Sequence, residues 1–325
     1  MDKVFNDKVF KKSIYLILGI GCILYASSLL SFEENSFVLI KNFLSQKWLL
    51  ILFAIFLYLL SHTVRVLRLI ILSPNPSFKI RHLWKEQYKA NGVNLILPFR
   101  LGETYRLVYF KEFFGSYTNS FAVLVCERML DLVTIFSFLM ITIYFSEVSI
   151  PALQYVLYIS LFLLSILFFI LYVLDEILEI LNRVLIEKDS SDLTIKLIQI
   201  LTNIIKAIRK IKSILNQKYM SCLSVTIIIW ILEIFVFNVF FSILDYRVDL
   251  VILLALAVSF SGLLPGGPLG YGGLQIAFYS IGIAANIDNL VNYSLVYGVF
   301  IFGSGLLVAS ILFLYDFLLN SKEKK

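Results

Sequence analysis

Apolar residues fill six long runs along the chain, near residues 13 to 32, 48 to 72, 117 to 145, 150 to 174, 219 to 244 and 290 to 319, with polar positions gathered between them. Each run meets the length of roughly 20 residues that a helix needs to cross the hydrocarbon core, so each predicts a transmembrane helix. Two further apolar stretches are interrupted. Residues 91 to 110 carry Asn, Pro, Gly and charge, and residues 249 to 285 are split by a Pro and Gly cluster at 265 to 273. Between 175 and 218, Leu193, Leu197, Ile200, Ile204, Ile208, Ile211 and Leu215 recur at helical spacing, with Lys196, Asn203, Lys206, Arg209, Lys210 and Lys212 off that stripe. That pattern predicts an amphipathic helix on the cytoplasmic side, docked on the protein or on headgroups.

Composition agrees with this pattern. A 325-residue chain that is 60% hydrophobic and 15% charged, with mean hydropathy +0.89, is far more apolar than a soluble domain. The expected fold class is all-α and integral to the membrane, a single polytopic domain over 1–325 with six spans and two broken re-entrant hairpins. Its first half is 1–174 with hairpin 91–110, its cytoplasmic region 175–218, and its second half 219–325 with hairpin 249–285; the two halves admit an inverted relationship. The first run follows Lys3, Lys8, Lys11 and Lys12 but is too long for a signal peptide, so it reads as an uncleaved helix. Cys22, Cys126 and Cys222 each lie inside an apolar run and suggest neither a disulfide framework nor a metal site.

Charge sets the orientation. With the N-terminus inside and each hairpin returning to its own side, every Lys and Arg faces the cytoplasm except Lys41, Lys47, Arg247 and the intramembrane Arg128. This positive-inside bias places both termini in the cytoplasm of a cell membrane and accounts for the net charge of +6 without a nucleic-acid partner. The C-terminal Lys-Glu-Lys-Lys would lie outside if residues 249 to 285 crossed once, which is why the re-entrant path is preferred.

Candidate chemistry centres on Glu127, Arg128 and Asp131, in the middle of the run Tyr117 to Phe145. A charge near the bilayer centre costs about 2.5 to 3.5 kcal/mol on insertion scales, so three within five residues require partners or a task. Asp131 lies one helical turn beyond Glu127 and Arg128, which supplies part of the pairing. In the first interrupted segment, Asn94, Pro98, Arg100, Gly102, Glu103 and Arg106 combine a helix break, a close-approach glycine and charge. There Arg100 and Arg106 offer forked donors to a phosphate and Glu103 orients one of them; the plain alternative is an interfacial loop with snorkelling arginines. Pro265, Pro268, Gly270 and Gly272 form the corresponding turn of the second segment, whose amides suit an anion or serve only as a hairpin turn. Arg65 and Arg68 read as positive-inside anchors, and His62 as a polar packing group. Glu233 is either a counter-charge for Arg128 or a group facing the substrate path.

Enzyme signatures are missing: there is no nucleophile elbow, P-loop or zinc-protease motif, and no cofactor is implied. The string Asn94 to Arg106, of the form N-x-x-x-P-x-R-x-G-E-x-x-R, followed by Glu127-Arg128-x-x-Asp131, resembles the membrane portion of the lysylphosphatidylglycerol synthase/flippase family. Pro265, Pro268, Gly270 and Gly272 resemble its second signature, P-x-x-P-G-G-x-G-x-x-E, with Leu269 in place of the first glycine and Gln275 in place of the acidic residue. The aminoacyltransferase domain of the two-domain members would follow the membrane part, and this chain ends at Lys325. The resemblance thus implies lipid translocation without lipid synthesis, with an anionic phospholipid or lipid-linked saccharide as partner, held by Arg100, Arg106 and Arg128. With no ATP-binding motif, such transport is passive or ion-coupled. Two other classes stay open: an accessory or scaffold subunit gripping an envelope-biosynthesis partner, and a membrane-embedded lipid transferase. A homo-oligomer is compatible with each.

Overall fold

A computed structural model describes residues 34–73, 79–97, 102–145, 158, 161–166, 168–187, 192–241, 248–261, 271–287 and 290–322. All elements among them are helical. In chain order they are α1 (Glu34–Leu72), α2 (Ile80–Ile96), α3 (Gly102–Phe114), α4 (Tyr117–Phe145), α5 (Asp175–Glu187, entered through a π turn at Ile170–Leu174), α6 (Asp192–Phe241), α7 (Val248–Ser261), α8 (Gly273–Ala285), α9 (Leu290–Tyr297) and α10 (Gly303–Lys322).

Four segments among the described residues are long and apolar enough to cross a membrane: Lys47–Leu72, Leu161–Ile186, Thr194–Phe241 and Leu290–Leu318. The first begins where α1 kinks, at Lys47, whose backbone leaves helical geometry. The last runs through α9 and α10, joined by the π turn Gly298–Phe302. Helix α4, at 29 residues, also has the length of a span and carries the charged triplet at its centre. The run at 13 to 32 lies outside the described residues. The chain is an all-α membrane protein.

Residues 175 to 218 fold as parts of two helices: α5 continues the helix of the preceding apolar segment, and the amphipathic stripe continues into the next apolar segment as the single 50-residue helix α6. No Gly or Pro occurs between Asp192 and Phe241, so nothing in the chain stops the helix where its composition changes. At 1.5 Å per residue α6 is about 75 Å long, more than twice the hydrocarbon thickness. Its stripe divides accordingly. Ile208 and Ile211 are buried, whereas Leu197, Ile200 and Ile204 are exposed.

Both interrupted segments fold as helical hairpins. In the first, α2 packs against α3, and its first arm starts at Ile80, well before residue 91. Leu97 ends that arm in an extended conformation with ψ 136°, as expected of a residue preceding proline. Pro98 and Arg100 lie outside the described residues. In the second, α7 packs against α8; Pro265, Pro268 and Gly270 lie outside the described residues. Gly272 is described and has φ 102°, a conformation that suits only glycine. Its N–H donates to Gln275 Oε1 at 2.7 Å, so the amide that replaces the expected acidic residue caps the start of α8.

Two apolar cores result. One gathers Tyr58, Ile135, Leu139, Trp230, Phe237, Phe240, Phe278 and Tyr297 from α1, α4, α6, α8 and α9. The other gathers Val66, Leu69, Phe110, Phe114, Ala122, Cys126, Leu130 and Cys222 from α1, α3, α4 and α6. Along α1, α4 and α6 the chain passes from one core to the other at residues 58 to 66, 130 to 135 and 222 to 230. Arg65, Arg68, Glu127, Arg128, Asp131 and Glu233 lie within about a turn of that seam.

Candidate functional site

The site grows out of the turn between α3 and α4. Gly115, with φ 80°, closes α3 through Gly115 N–H to Lys111 O, 2.8 Å. Ser116 Oγ then caps α4, accepting from Asn119 N at 3.1 Å. This tight connection sets α3 beside the first half of α4, bringing Glu103 and Arg106 to Glu127, Arg128 and Asp131. At the other end of α3, Gly102 lies so close to α2 that an added Cβ would fall 2.6 Å from Ala90 O and closer still to Asn94. Asn94 and Gly102 are therefore the contact that lets the hairpin close.

Six charges interlock. Glu127, fully buried, accepts from Arg68 Nη2 through one oxygen and from Arg106 Nη2 through the other. Asp131 Oδ1 accepts from Arg68 Nη1 at 2.6 Å and from Trp230 Nε1 at 3.3 Å, and its Oδ2 from Arg128 Nη1 at 3.2 Å. Glu103 bridges Arg106 Nη1 at 3.0 Å and Arg128 Nη2 at 2.9 Å. Arg68 also donates to Thr226 Oγ1 at 3.1 Å. Three guanidiniums thus face three carboxylates, so the cluster is neutral, which is how so many charges persist in an apolar interior.

Exposure grades across it. Arg68 and Glu127 side chains are 0% exposed, whereas Arg128 is 37% and Glu103 29% exposed. Only the outer edge, Glu103 with Arg128, is open to a ligand. The Nε atoms of Arg68, Arg106 and Arg128 are buried and have no hydrogen-bond partner.

Arg68 is the member that sequence reasoning missed. It reads as a surface anchor because it closes a span next to a polar stretch, but it is the most deeply buried cation of the cluster. One signal was available: Ser61, Arg65 and Arg68 share one helical face. Of the two readings of Glu233, the counter-charge for Arg128 is not what forms: Glu233 pairs with Arg65 at 3.1 Å and accepts from Ser61 Oγ at 2.7 Å. The reason is register, since Glu233 lies about two turns beyond Thr226 on α6, opposite Ser61 and Arg65. His62 is buried between Tyr58 and Tyr88, with ring centroids at 4.7 and 6.0 Å, consistent with a packing role.

A second polar cluster ties the first hairpin to α10. Lys89 Nζ donates to Glu86 Oε1 at 2.7 Å and to Asp316, Lys85 reaches Asp316 at 3.5 Å, and Tyr105 OH donates to Glu86 Oε2 at 2.6 Å. An apolar groove of about 270 Å³ lies between α1, α2 and α10, lined by Phe56, Leu60, Trp84 and Val308. Cys126 and Cys222 are buried and unbridged. Among the described residues no group of three or more His, Cys, Asp or Glu is placed to hold a metal ion.

Across residues 14–312 the chain matches the family model described as lysylphosphatidylglycerol synthase TM region. The chain belongs to this family. No curated protein and no solved structure matches it. Membership agrees with the resemblance carried by Asn94 to Arg106 and by Glu127-Arg128-x-x-Asp131, and gives the protein a role related to membrane lipids. It is embedded in a membrane.

Proposed function

We propose that the protein moves an anionic amphiphile, a phospholipid or a lipid-linked saccharide, between the leaflets of a cell membrane, with both termini in the cytoplasm. The observation that carries this reading is the neutral cluster of Arg68, Arg106, Arg128, Glu103, Glu127 and Asp131, which joins a membrane helix pair to the broken hairpin α2–α3 and has one open edge. Charges inside a membrane face a pathway or each other. Here they do both: the inner members satisfy one another, and Glu103 with Arg128 face outward.

The chain is read as one polytopic domain whose two hairpins re-enter the membrane and whose halves rock against each other. On this reading Arg128 receives the headgroup phosphate and Arg100 and Arg106 assist. Glu127 and Asp131 hold the guanidiniums in place. Asn94, Pro98 and Gly102 shape the first hairpin; Pro265, Pro268, Gly270 and Gly272 shape the second. Glu233, on Arg65, is a separate brace between α1 and α6.

Leaflet exchange of a fluorescent anionic phospholipid in vesicles holding the purified protein tests this. The expected result is exchange above that of empty vesicles, reduced at least tenfold by Glu127→Gln, which leaves Arg68 and Arg106 competing for a neutral amide. Exchange equal to empty vesicles for phospholipids and lipid-linked saccharides alike would end the proposal.

A further inference from the structure

Glu103 differs from the other two carboxylates in a way that pairing alone does not require. Glu127 is 0% and Asp131 6% exposed, and Arg68, common to both, has a side chain that is 0% exposed. These two are locked in. Glu103 is 29% exposed and, among the described residues, pairs with Arg106 and Arg128, one guanidinium on each oxygen. It also stands in the first turn of the 13-residue helix α3, where free N–H groups and the helix dipole favour an anion.

Taken out of the count, Glu103 leaves Arg68, Arg106 and Arg128 against Glu127 and Asp131, a local charge of plus one. That is the charge complement of one phosphodiester monoanion. A carboxylate offers two acceptor oxygens, both used here, whereas a phosphate has more oxygens than two, and the buried Nε atoms of Arg106 and Arg128 are donors without partners. The start of α3 itself is pinned, because the space beside Gly102 is filled by Asn94 and Ala90. Any exchange at this position is therefore a movement of the Glu103 side chain rather than of the helix.

We infer that Glu103 is an internal stand-in for a phosphate monoanion: its carboxylate holds Arg106 and Arg128 while the site is empty and swings outward when a phosphate takes its place on the same two guanidiniums. That the phosphate belongs to a transported lipid rests on the function proposed above; the stand-in role does not.

Two measurements on the purified full-length chain in nanodiscs test it. The first is binding of phosphatidylglycerol, of diacylglycerol as the uncharged control, and of glycerophosphoglycerol, a soluble phosphodiester monoanion. Glu103→Gln is expected to tighten phosphatidylglycerol binding about tenfold and leave diacylglycerol unchanged, and Arg128→Met added to it is expected to abolish the gain. A gain for phosphatidylglycerol alone assigns the site to a lipid phosphate; a gain for glycerophosphoglycerol as well assigns it to phosphodiesters in general. Equal or weaker phosphatidylglycerol binding by the variant would overturn the inference, because Glu103 would then be a structural tie. The second needs no variant: carbodiimide labelling of Glu103 in the unmodified protein, read by mass spectrometry, is expected to rise when phosphatidylglycerol is added, and constant or falling labelling would count against displacement. Tighter binding by Glu103→Gln together with no leaflet exchange in vesicles would retire the transport proposal and leave the stand-in role intact; exchange without tighter binding would do the reverse.

Discussion

Replacing Arg68 by methionine removes the cation on which the inner half of the cluster depends. Its guanidinium donates to Asp131 at 2.6 Å, to Thr226 at 3.1 Å and to Glu127, and both Arg68 and Glu127 are fully buried. Breaking one buried ion pair from one side costs about 3–5 kcal/mol, because the surviving charge stays buried. Two carboxylates lose a partner here, yet neither is stranded. Glu127 keeps Arg106, and Asp131 keeps Arg128 at 3.2 Å and Trp230 at 3.3 Å, so the figure for a single pair applies rather than twice it. For a protein of this size that corresponds to a fall in Tm of roughly 4–7 °C. Thermal unfolding of the purified protein in detergent is the assay, with Lys206→Met, at an exposed position of α6, as the control. Adding Asp131→Asn to Arg68→Met is expected to be less than additive by about 1–3 kcal/mol, since the Arg68–Asp131 pair that each change removes is lost only once. A Tm within about 2 °C of both wild type and the control would refute the argument, because that is what a solvated anchor would give.

Two further substitutions test the supports of the site. Gly102→Ala pushes a methyl group against Ala90 O and Asn94 and is expected to cost about 1–3 kcal/mol, seen as a lower Tm; an unchanged Tm would refute the close contact between α2 and α3 as a support of the site. Gln275→Leu leaves the Gly272 N–H without its acceptor and is expected to lower stability by about 1 kcal/mol, whereas Gln275→Glu keeps an acceptor and stays near wild type; equal Tm values for all three proteins would show that the cap contributes nothing.

Much of the site can be read along the chain because its residues are close in sequence. Glu127, Arg128 and Asp131 draw notice by being charged in an apolar run, and Asn94, Gly102, Glu103 and Arg106 by their spacing about a helix break. Arg68 gave no such notice. A cation at the end of a span, next to a polar stretch, has the same local pattern whether it snorkels to the surface or turns inward, and only the helices packed against α1 distinguish the two. Glu233 is the same case. A lone carboxylate in a span names no partner, and its pairing with Arg65 rather than Arg128 follows from the register of α1 against α6.

The sequence by itself determined the class of molecule and the ends of some helices, since hydropathy, proline and glycine act over a few residues: Leu97 stops α2 because of the proline after it, and Gly272 starts α8 because of its φ. It also determined that α6 would not stop at the edge of the apolar zone, because no breaker lies between Asp192 and Phe241, although the change in composition there invited a boundary. What only the tertiary structure decided is which charges meet. Electrostatic partners are chosen by distances across packed helices, Arg68 lying 63 residues from Asp131 and 158 from Thr226. The same packing buries Glu127 and leaves Glu103 partly exposed at the edge, a difference that no local pattern in the sequence records.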